Sequence, residues 1–268
     1  MKFIANIMVI AIILFSCNES PQNEKPVVVN DTTKIQDTII VKDSILNSTI
    51  TDSLPLGAYQ GIFPCKDCDG IQQTILFNID RTFREEQMIW SKNDNPKISE
   101  GTWKRKNGKI ELTQNNKLII ALIKKRDTLF VVNINGVALN NSLKYILTKR
   151  NLANNNPVWN KKRLEGVDFE GIGNEPSWNL EIDYEKSILF KLPDWKNPVI
   201  AGIEKPLISK DSTIYKLKSD TTNWSITILP QFCNDGMSDY LYQYKVNVKY
   251  NGILYKGCGV MLSKKNSQ

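Results

Sequence analysis

The stretch GAYQGIFPCKDCDGIQQTILFNIDRTF, residues 57–83, decides the fold of the first half of this chain. It holds two runs rich in β-branched and aromatic residues, with a Pro-Cys-x-x-Cys segment between them and an Asn-x-Asp turn after them. Short runs of this kind between turn residues are typical of β-hairpins. The stretch therefore predicts strands over 58–63 and 72–79, with a pair of cysteines in the connecting loop.

The same pattern continues as far as Arg150. Turn signals such as Asn107-Gly108 and Asn135-Gly136 separate the runs, and helical periodicity is weak. A meander of eight strands tends to close into a barrel, because closure removes the unpaired edges. We expect a small β-barrel over residues 54–150. The further predicted strands are 82–90, 101–105, 109–112, 117–123, 128–133 and 145–149.

The opening of this barrel resembles the N-terminal domain of the NlpE family of copper-resistance and envelope-stress lipoproteins. The matching residues are Tyr59, Gly61, Pro64, Cys65, Cys68, Gly70, Ile71, Thr74 and the turn 80–83. The resemblance implies a lipocalin-like barrel, a place in the cell envelope and a role in copper homeostasis or in sensing envelope stress or redox state. It ends after Arg150, so it implies no partner for the second half of the chain.

Cys65 and Cys68 are separated by two residues, which brings both sulfurs to one side of a tight loop. They can form a small-ring disulfide, or present two thiolates to a soft ion such as copper(I). In an oxidising compartment we expect the disulfide as the resting state. The alternative is a bridge that only fastens the loop between two strands. Zinc is disfavoured, because two further ligands at suitable spacing are not visible.

The N-terminus has the pattern of an export signal. Lys2 precedes an apolar run over 3–15, which is too short to span a bilayer as a helix. The run ends in Leu14-Phe15-Ser16-Cys17, which resembles the lipobox of bacterial lipoproteins. We expect residues 1–16 to be removed and Cys17 to be lipidated. Asn18 is not an aspartate, so we expect the outer membrane, with an envelope protein as a further partner.

Residues 17–53 are polar and lack the glycine turns and aromatic residues that a core requires. We expect a disordered, extended linker there. An Asp followed by a hydroxyl residue recurs in it, which resembles an O-glycosylation acceptor of exported proteins. The alternative is a low-complexity spacer in which the pattern recurs by composition. The candidate glycosylated residues are Thr32, Thr38, Ser44 and Ser53.

An Asn-rich run with Pro157 indicates a boundary, so we expect a linker over 151–163 and a second all-β domain over 164–264. The predicted strands are 178–183, 188–191, 213–217, 224–229, 242–250 and 253–261, the last two joined by the hairpin signal Asn251-Gly252. A small barrel or sandwich is expected. The stretches 171–178, 233–239 and 257–259 resemble an uncharacterised domain of bacterial envelope proteins, which implies a fold and little about function.

Two features of this second domain are candidates for a specific role. Cys233 and Cys258 can form a structural disulfide across a long loop, and five cysteines divide into one lipidated residue and two such pairs. Glu175, Asp235 and Asp239 could form a cation or ligand site beside Trp178. The alternative is that these polar side chains hold their own turns.

The amino-acid composition of the chain limits the classes of function that we expect. The chain has no histidine, which removes the usual general base and the commonest metal ligand, so we expect no enzyme. The net charge of +7 is spread thinly, without aromatic residues between the basic ones, so a nucleic-acid partner is not expected. A lipocalin-like carrier of a small apolar ligand and a purely structural or interaction lipoprotein are the alternatives to a sensor. No cofactor is certain; copper(I) is the candidate.

Overall fold

The computed structural model describes residues 54–89, 95–139, 144–219 and 222–263. The predicted signal 1–16, the predicted lipidation site Cys17, the predicted linker 17–53 and the four glycosylation candidates lie outside these ranges. The described residues, from 54 to 263, belong to one compact unit that contains two β-sheets. In the described part of the chain, no helix is long and apolar enough to cross a bilayer.

The first sheet is an eight-stranded antiparallel barrel in which each strand pairs with the next. The last strand pairs back onto the first, with Tyr59 opposite Lys149, and this pairing closes the barrel. The predicted barrel is therefore confirmed. Its strands are β1 (Gly57–Phe63), β2 (Ile71–Phe77), β3 (Thr82–Ile89), β4 (Lys97–Lys106), β5 (Lys109–Gln114), β6 (Lys117–Lys125), β7 (Thr128–Val132) and β8 (Ile146–Leu152).

Alternation along the strands fills the barrel. In β2, Gln73, Ile75 and Phe77 point inward, and in β3 Phe83 does so. Phe77 packs edge-to-face against both Tyr59 and Trp103, with ring centroids 5.9 Å apart in each pair. These aromatic rings and surrounding leucines leave the interior packed rather than hollow.

The close approach of β1 to β8, where the barrel closes, explains why residue 61 is a glycine. A Cβ atom on Gly61 would lie 2.0 Å from the backbone oxygen of Ile146 at the start of β8. A backbone oxygen cannot move aside as a flexible side chain can. Only glycine therefore allows β1 to lie this close to β8.

The second sheet has nine strands and forms a half-barrel. All its neighbouring strands are antiparallel. The predicted all-β class is confirmed here too. The strands are β9 (Phe169–Asn174), β10 (Ser177–Asp183), β11 (Ser187–Lys191), β12 (Val199–Gly202), β13 (Leu207–Ile208), β14 (Thr213–Ser219), β15 (Thr222–Leu229), β17 (Tyr244–Tyr250) and β18 (Ile253–Met261). Their order in the sheet is β12-β11-β10-β9-β18-β17-β15-β14-β13.

Large rings lie against glycines on the inner face of this half-barrel. A Cβ on Gly173 would lie 2.0 Å from the indole nitrogen of Trp178, and one on Gly259 would lie 2.3 Å from the ring of Phe169. Gly257 is likewise within reach of the Trp178 ring. The glycines in 171–173 and 257–259 therefore make room for the aromatic core, which accounts for much of the second domain's sequence pattern.

The segment 151–163, expected as a linker, carries ordered structure. It begins with the end of β8 and continues as two 3-10 turns, Ala153–Asn155 and Pro157–Trp159, which lead into a short helix α1 (Asn160–Leu164). The indole nitrogen of Trp159 donates a hydrogen bond to the carbonyl of Ala153, at 3.0 Å, and Ala153 is buried. The segment covers the outer face of β18, where Val260 and Leu262 are buried.

The stretch Pro230–Tyr242 joins the two sheets. Its two-residue strand β16 (Tyr240–Leu241) pairs in parallel with the end of β8. Phe232 and Leu241 pack against Ala58 on the outside of the barrel. The backbone nitrogen of Phe232 also donates a hydrogen bond of 2.9 Å to Glu86 on β3. Part of the second domain is thus built onto the first.

Candidate functional site

The loop between β1 and β2 holds the predicted cysteine pair. Cys65 and Cys68 form a disulfide, with their Cα atoms 5.6 Å apart. Both residues are half-buried, and the flanking residues 64, 66, 67 and 69 are exposed. The predicted disulfide is confirmed, and it lies at an accessible position rather than deep in packed side chains.

Packing fixes both ends of this loop. Phe63, the last residue of β1, packs edge-to-face on Tyr145, with ring centroids 5.5 Å apart. Gly70 precedes β2 with a φ of +151°, and a Cβ there would lie 2.6 Å from the side chain of Ile62. Because the two strands are anchored, the sulfur atoms are presented from a rigid base.

A metal ion at this loop would depend on the two sulfurs. No group of three or more histidine, cysteine, aspartate or glutamate residues suited to a metal occurs within the described ranges. Zinc prefers four ligands, whereas copper(I) is a soft ion that thiolates suit. The donor set of the reduced pair, Cys65 and Cys68, therefore fits copper(I) better than zinc.

A polar network occupies the barrel interior toward the end that carries the cysteine loop. Gln73 and Gln87 both donate hydrogen bonds to the buried carboxylate of Glu85. Burial raises the pKa of Glu85, and hydrogen bonds from Gln87 and Ser99 oppose that shift. With this network at one end and aromatic rings at the other, the packed interior disfavours a carrier of an apolar ligand.

In the second domain, Cys233 and Cys258 form the predicted disulfide, with Cα atoms 5.6 Å apart. Cys258 lies on β18 and is only 1% exposed. The bond fastens the start of the 233–239 loop to the sheet. Cys233 is half-buried, as Cys65 and Cys68 are, so only the Cys258 side of this bridge has the burial that is typical of a structural disulfide.

The structure does not gather Glu175, Trp178, Asp235 and Asp239 around one site. Glu175 and Asp235 line a cavity of about 810 Å³ on the outer face of the second sheet. Trp178 points to the inner face, where it is buried in the aromatic core. The backbone oxygen of Asp239 accepts a hydrogen bond from Arg150, 3.2 Å away.

Asp235 holds its own loop. Its carboxylate accepts hydrogen bonds from the backbone nitrogens of Met237, at 3.1 Å, and Ser238, at 2.9 Å. Its backbone oxygen accepts a bond of 2.6 Å from the amide of Asn174. These contacts match the alternative in which the polar side chains of this region hold their own turns.

Glu170 on β9 is a buried carboxylate that the sequence analysis did not identify. It is 1% exposed, the amide of Asn179 donates to it, and its Oε2 has no partner among the described residues. Burial raises its pKa to about 7, and the nearby Lys162 acts in the opposite direction. Lys162 itself pairs with Glu181, 2.5 Å away, so it does not fully neutralise Glu170.

Replacing Glu170 with glutamine is expected to stabilise the protein by up to about 3 kcal/mol above pH 7 and to have little effect below pH 4.5. The folded pKa lies above the unfolded one, so the folded state loses stability as the pH rises from 4.5 through about 7. Glutamine resembles the protonated acid and removes this loss. Urea unfolding across pH measures it, and a parallel offset at every pH would contradict the assignment.

One protein-family model matches part of the chain. Residues 59–154 match the family model of the NlpE N-terminal domain. No curated protein matches the chain.

Two solved structures are similar to parts of the chain. A lipoprotein candidate from Shewanella oneidensis is 23% identical over 35% of this chain and 87% of its own length, with a TM-score of 0.31. The Cpx pathway activator NlpE from Escherichia coli is 15% identical over 71% of this chain and 94% of its own length, with a TM-score of 0.30. The family match covers the closed barrel with its Cys65–Cys68 loop, so residues 59–154 of this chain match the NlpE N-terminal domain, and the second sheet lies outside the match.

Proposed function

We propose that this chain is a non-enzymatic lipoprotein of the cell envelope, anchored through Cys17 to the outer membrane, whose cysteine pair reports on copper or on thiol redox state. One observation carries the proposal: Cys65 and Cys68 are bonded at an accessible loop of an NlpE-type barrel. The second domain would offer a surface to another envelope protein.

The chemistry needs only these two side chains. In the redox reaction, two external thiols transfer two electrons and two protons to the disulfide, which yields two cysteine thiols and the disulfide of the reductant. In the copper reaction, the two thiols of the reduced pair each lose a proton and bind copper(I) as thiolates. Copper(I) bound to Cys65 and Cys68 would prevent the disulfide from forming again, so one loop can respond to both signals.

Copper(I) titrated into the reduced full-length chain should bind one ion that the variant with Cys65→Ser and Cys68→Ser does not bind. The matched control is Cys233→Ser with Cys258→Ser, which also removes two sulfurs and should keep that ion. Binding can be followed by competition with a chromophoric copper(I) chelator. Equal binding by all three proteins would remove copper from the proposal.

The redox half of the proposal is tested on the oxidised chain. Thiol reductant should open the Cys65–Cys68 bond before Cys233–Cys258, because a thiolate can approach either sulfur of the loop pair, whereas burial of Cys258 leaves Cys233 as the accessible side of the second bond. Alkylation at timed intervals followed by peptide mass spectrometry distinguishes the two pairs. Reduction of both bonds at one rate would leave the loop disulfide with a structural role only.

A further inference from the structure

Four neighbouring strands of the half-barrel, β14, β15, β17 and β18, contain no aspartate or glutamate. They carry five lysines instead. Four of them are exposed, and we call these four the lysine face: Lys216, Lys218, Lys249 and Lys256. The fifth, Lys245, is half-buried near the barrel, where it faces Glu86.

Strand alternation places the lysine face on one side of the sheet. Tyr215 and Leu217 are buried on the inner face, so Lys216 and Lys218 between and beyond them point outward. Pairing aligns Lys216 with Ser225, and Ser225 with Lys249. The charges thus lie two strands apart across the sheet, about 10 Å.

Among the residues that the structure describes, few carboxylates lie near this charge. No lysine of the face forms an ion pair with a carboxylate of the described residues. Glu204 lies at the rim beside Lys216 and Lys218, and Glu175 shares the outer cavity with Lys256. Asp235 in that cavity is engaged by its own loop, as described above.

The shape of the face suits a broad partner rather than an enclosed ligand. Lys216, Lys218 and Lys249 border a concavity of about 490 Å³ on the outer side of the sheet, with Ser225 between them. A wide opening ringed by flexible cations gives little enclosure, and small-molecule sites are usually enclosed.

Exposed apolar side chains adjoin the lysines. Ile253 and Leu254, at the tip of the β17–β18 hairpin, are 55% and 51% exposed. Leu254 is the strand partner of Lys249. Aliphatic side chains beside lysines are the combination that proteins use at the surface of an anionic bilayer, where the apolar groups enter the headgroup region and the ammonium groups remain among phosphates.

We infer that the lysine face, with Ile253 and Leu254, docks on an anionic phospholipid surface. We favour a phospholipid surface as the partner for two reasons. Its negative charge complements the lysines, and a soluble polyanion would leave Ile253 and Leu254 exposed to water. The inference does not depend on the chemistry of Cys65 and Cys68. It concerns a surface of the second domain, for which the family match gives no role.

The test uses the full-length chain reconstituted into vesicles of phosphatidylcholine alone or of phosphatidylcholine with phosphatidylglycerol. Each preparation is labelled briefly with an amine-reactive reagent, and modified lysines are quantified by peptide mass spectrometry. The four lysines of the face should react several-fold more slowly in anionic vesicles only. Lys106 and Lys117, exposed on the barrel, serve as internal controls. Salt at about 1 M should remove the difference, because it shortens the screening length to about 3 Å.

A variant with fewer lysines tests whether the protection depends on the charge of this face. Each lysine near an anionic surface changes binding by about fivefold, so Lys216→Gln with Lys218→Gln should weaken docking by about 25-fold. The readout is the lost protection of Lys249 and Lys256. The matched control, Lys104→Gln with Lys106→Gln on the barrel, should keep that protection. Equal labelling in both vesicle types overturns the inference, and so does protection by soluble heparin without protection by anionic vesicles.

Discussion

Replacing Cys233 and Cys258 with serine is expected to lower the free energy of unfolding by about 3 to 4 kcal/mol. The disulfide joins residues 25 positions apart, so its removal frees a long loop in the unfolded chain. It also frees the start of the Pro230–Tyr242 stretch, which contacts the barrel through Phe232. Urea unfolding of the oxidised proteins, followed by circular dichroism, measures the difference.

The Cys65–Cys68 pair provides a control within the same chain. Cys65 and Cys68 are only three positions apart, so replacing them with serine should cost about 2 kcal/mol or less in the same chain-entropy account. If the Cys65/Cys68 variant were the less stable of the two, loop length would not govern the loss, and strand anchoring at the cysteine loop would have to be re-examined.

Phe190→Ala is expected to destabilise the second domain by about 3 to 5 kcal/mol. Phe190 on β11 is fully buried, and its ring centroid lies within 5.3 to 6.1 Å of five other aromatic rings. Its removal opens a cavity and eliminates those ring contacts together. Tryptophan fluorescence during urea unfolding reports on the site directly, because three of the five rings are Trp178, Trp195 and Trp224.

Phe130→Ala makes the same chemical change on the barrel and serves as the comparison. Phe130 is half-buried on β7, where Lys125 lies 5.5 Å from its ring centroid. A half-exposed ring has fewer neighbours to lose, so the cost should be under about 2 kcal/mol. Equal losses at the two positions would argue against a central role for Phe190 in the half-barrel core.

The sequence predicted the barrel and the last hairpin of the second sheet well because their signals are local. Asn107-Gly108 and Asn251-Gly252 adopt positive φ angles between paired strands, as their turn type requires. Strand β9 was not predicted, since Gly171 and Gly173 weaken a strand pattern. The reason for those glycines is the Trp178 ring, which belongs to the next strand and lies over them only in the folded sheet.

The candidate sites were predicted unevenly for similar reasons. The two disulfides follow from the number and spacing of the cysteines. The grouping of Trp178 with Asp235 does not hold, because the alternation of Trp178 with Leu180 and Ile182 places the indole on the inner face. Glu170 is buried by residues that do not belong to the sheet but cover its outer face. Glu86 accepts a hydrogen bond from a residue 146 positions away. Contacts at such separations leave no periodic signal in the chain.

The parallel pairing of β16 with the end of β8 means that the two β-sheets are not separate domains joined only by a linker. A cut after Arg150 would divide the strand to which Tyr240 and Leu241 are paired, and would uncover Ala58 on the barrel wall. Glu86 would lose the amide of Phe232, which now meets its buried charge. The barrel of this chain therefore depends on contacts from the second sheet, and moving it to another protein would require new residues that cover Ala58 and bond to Glu86.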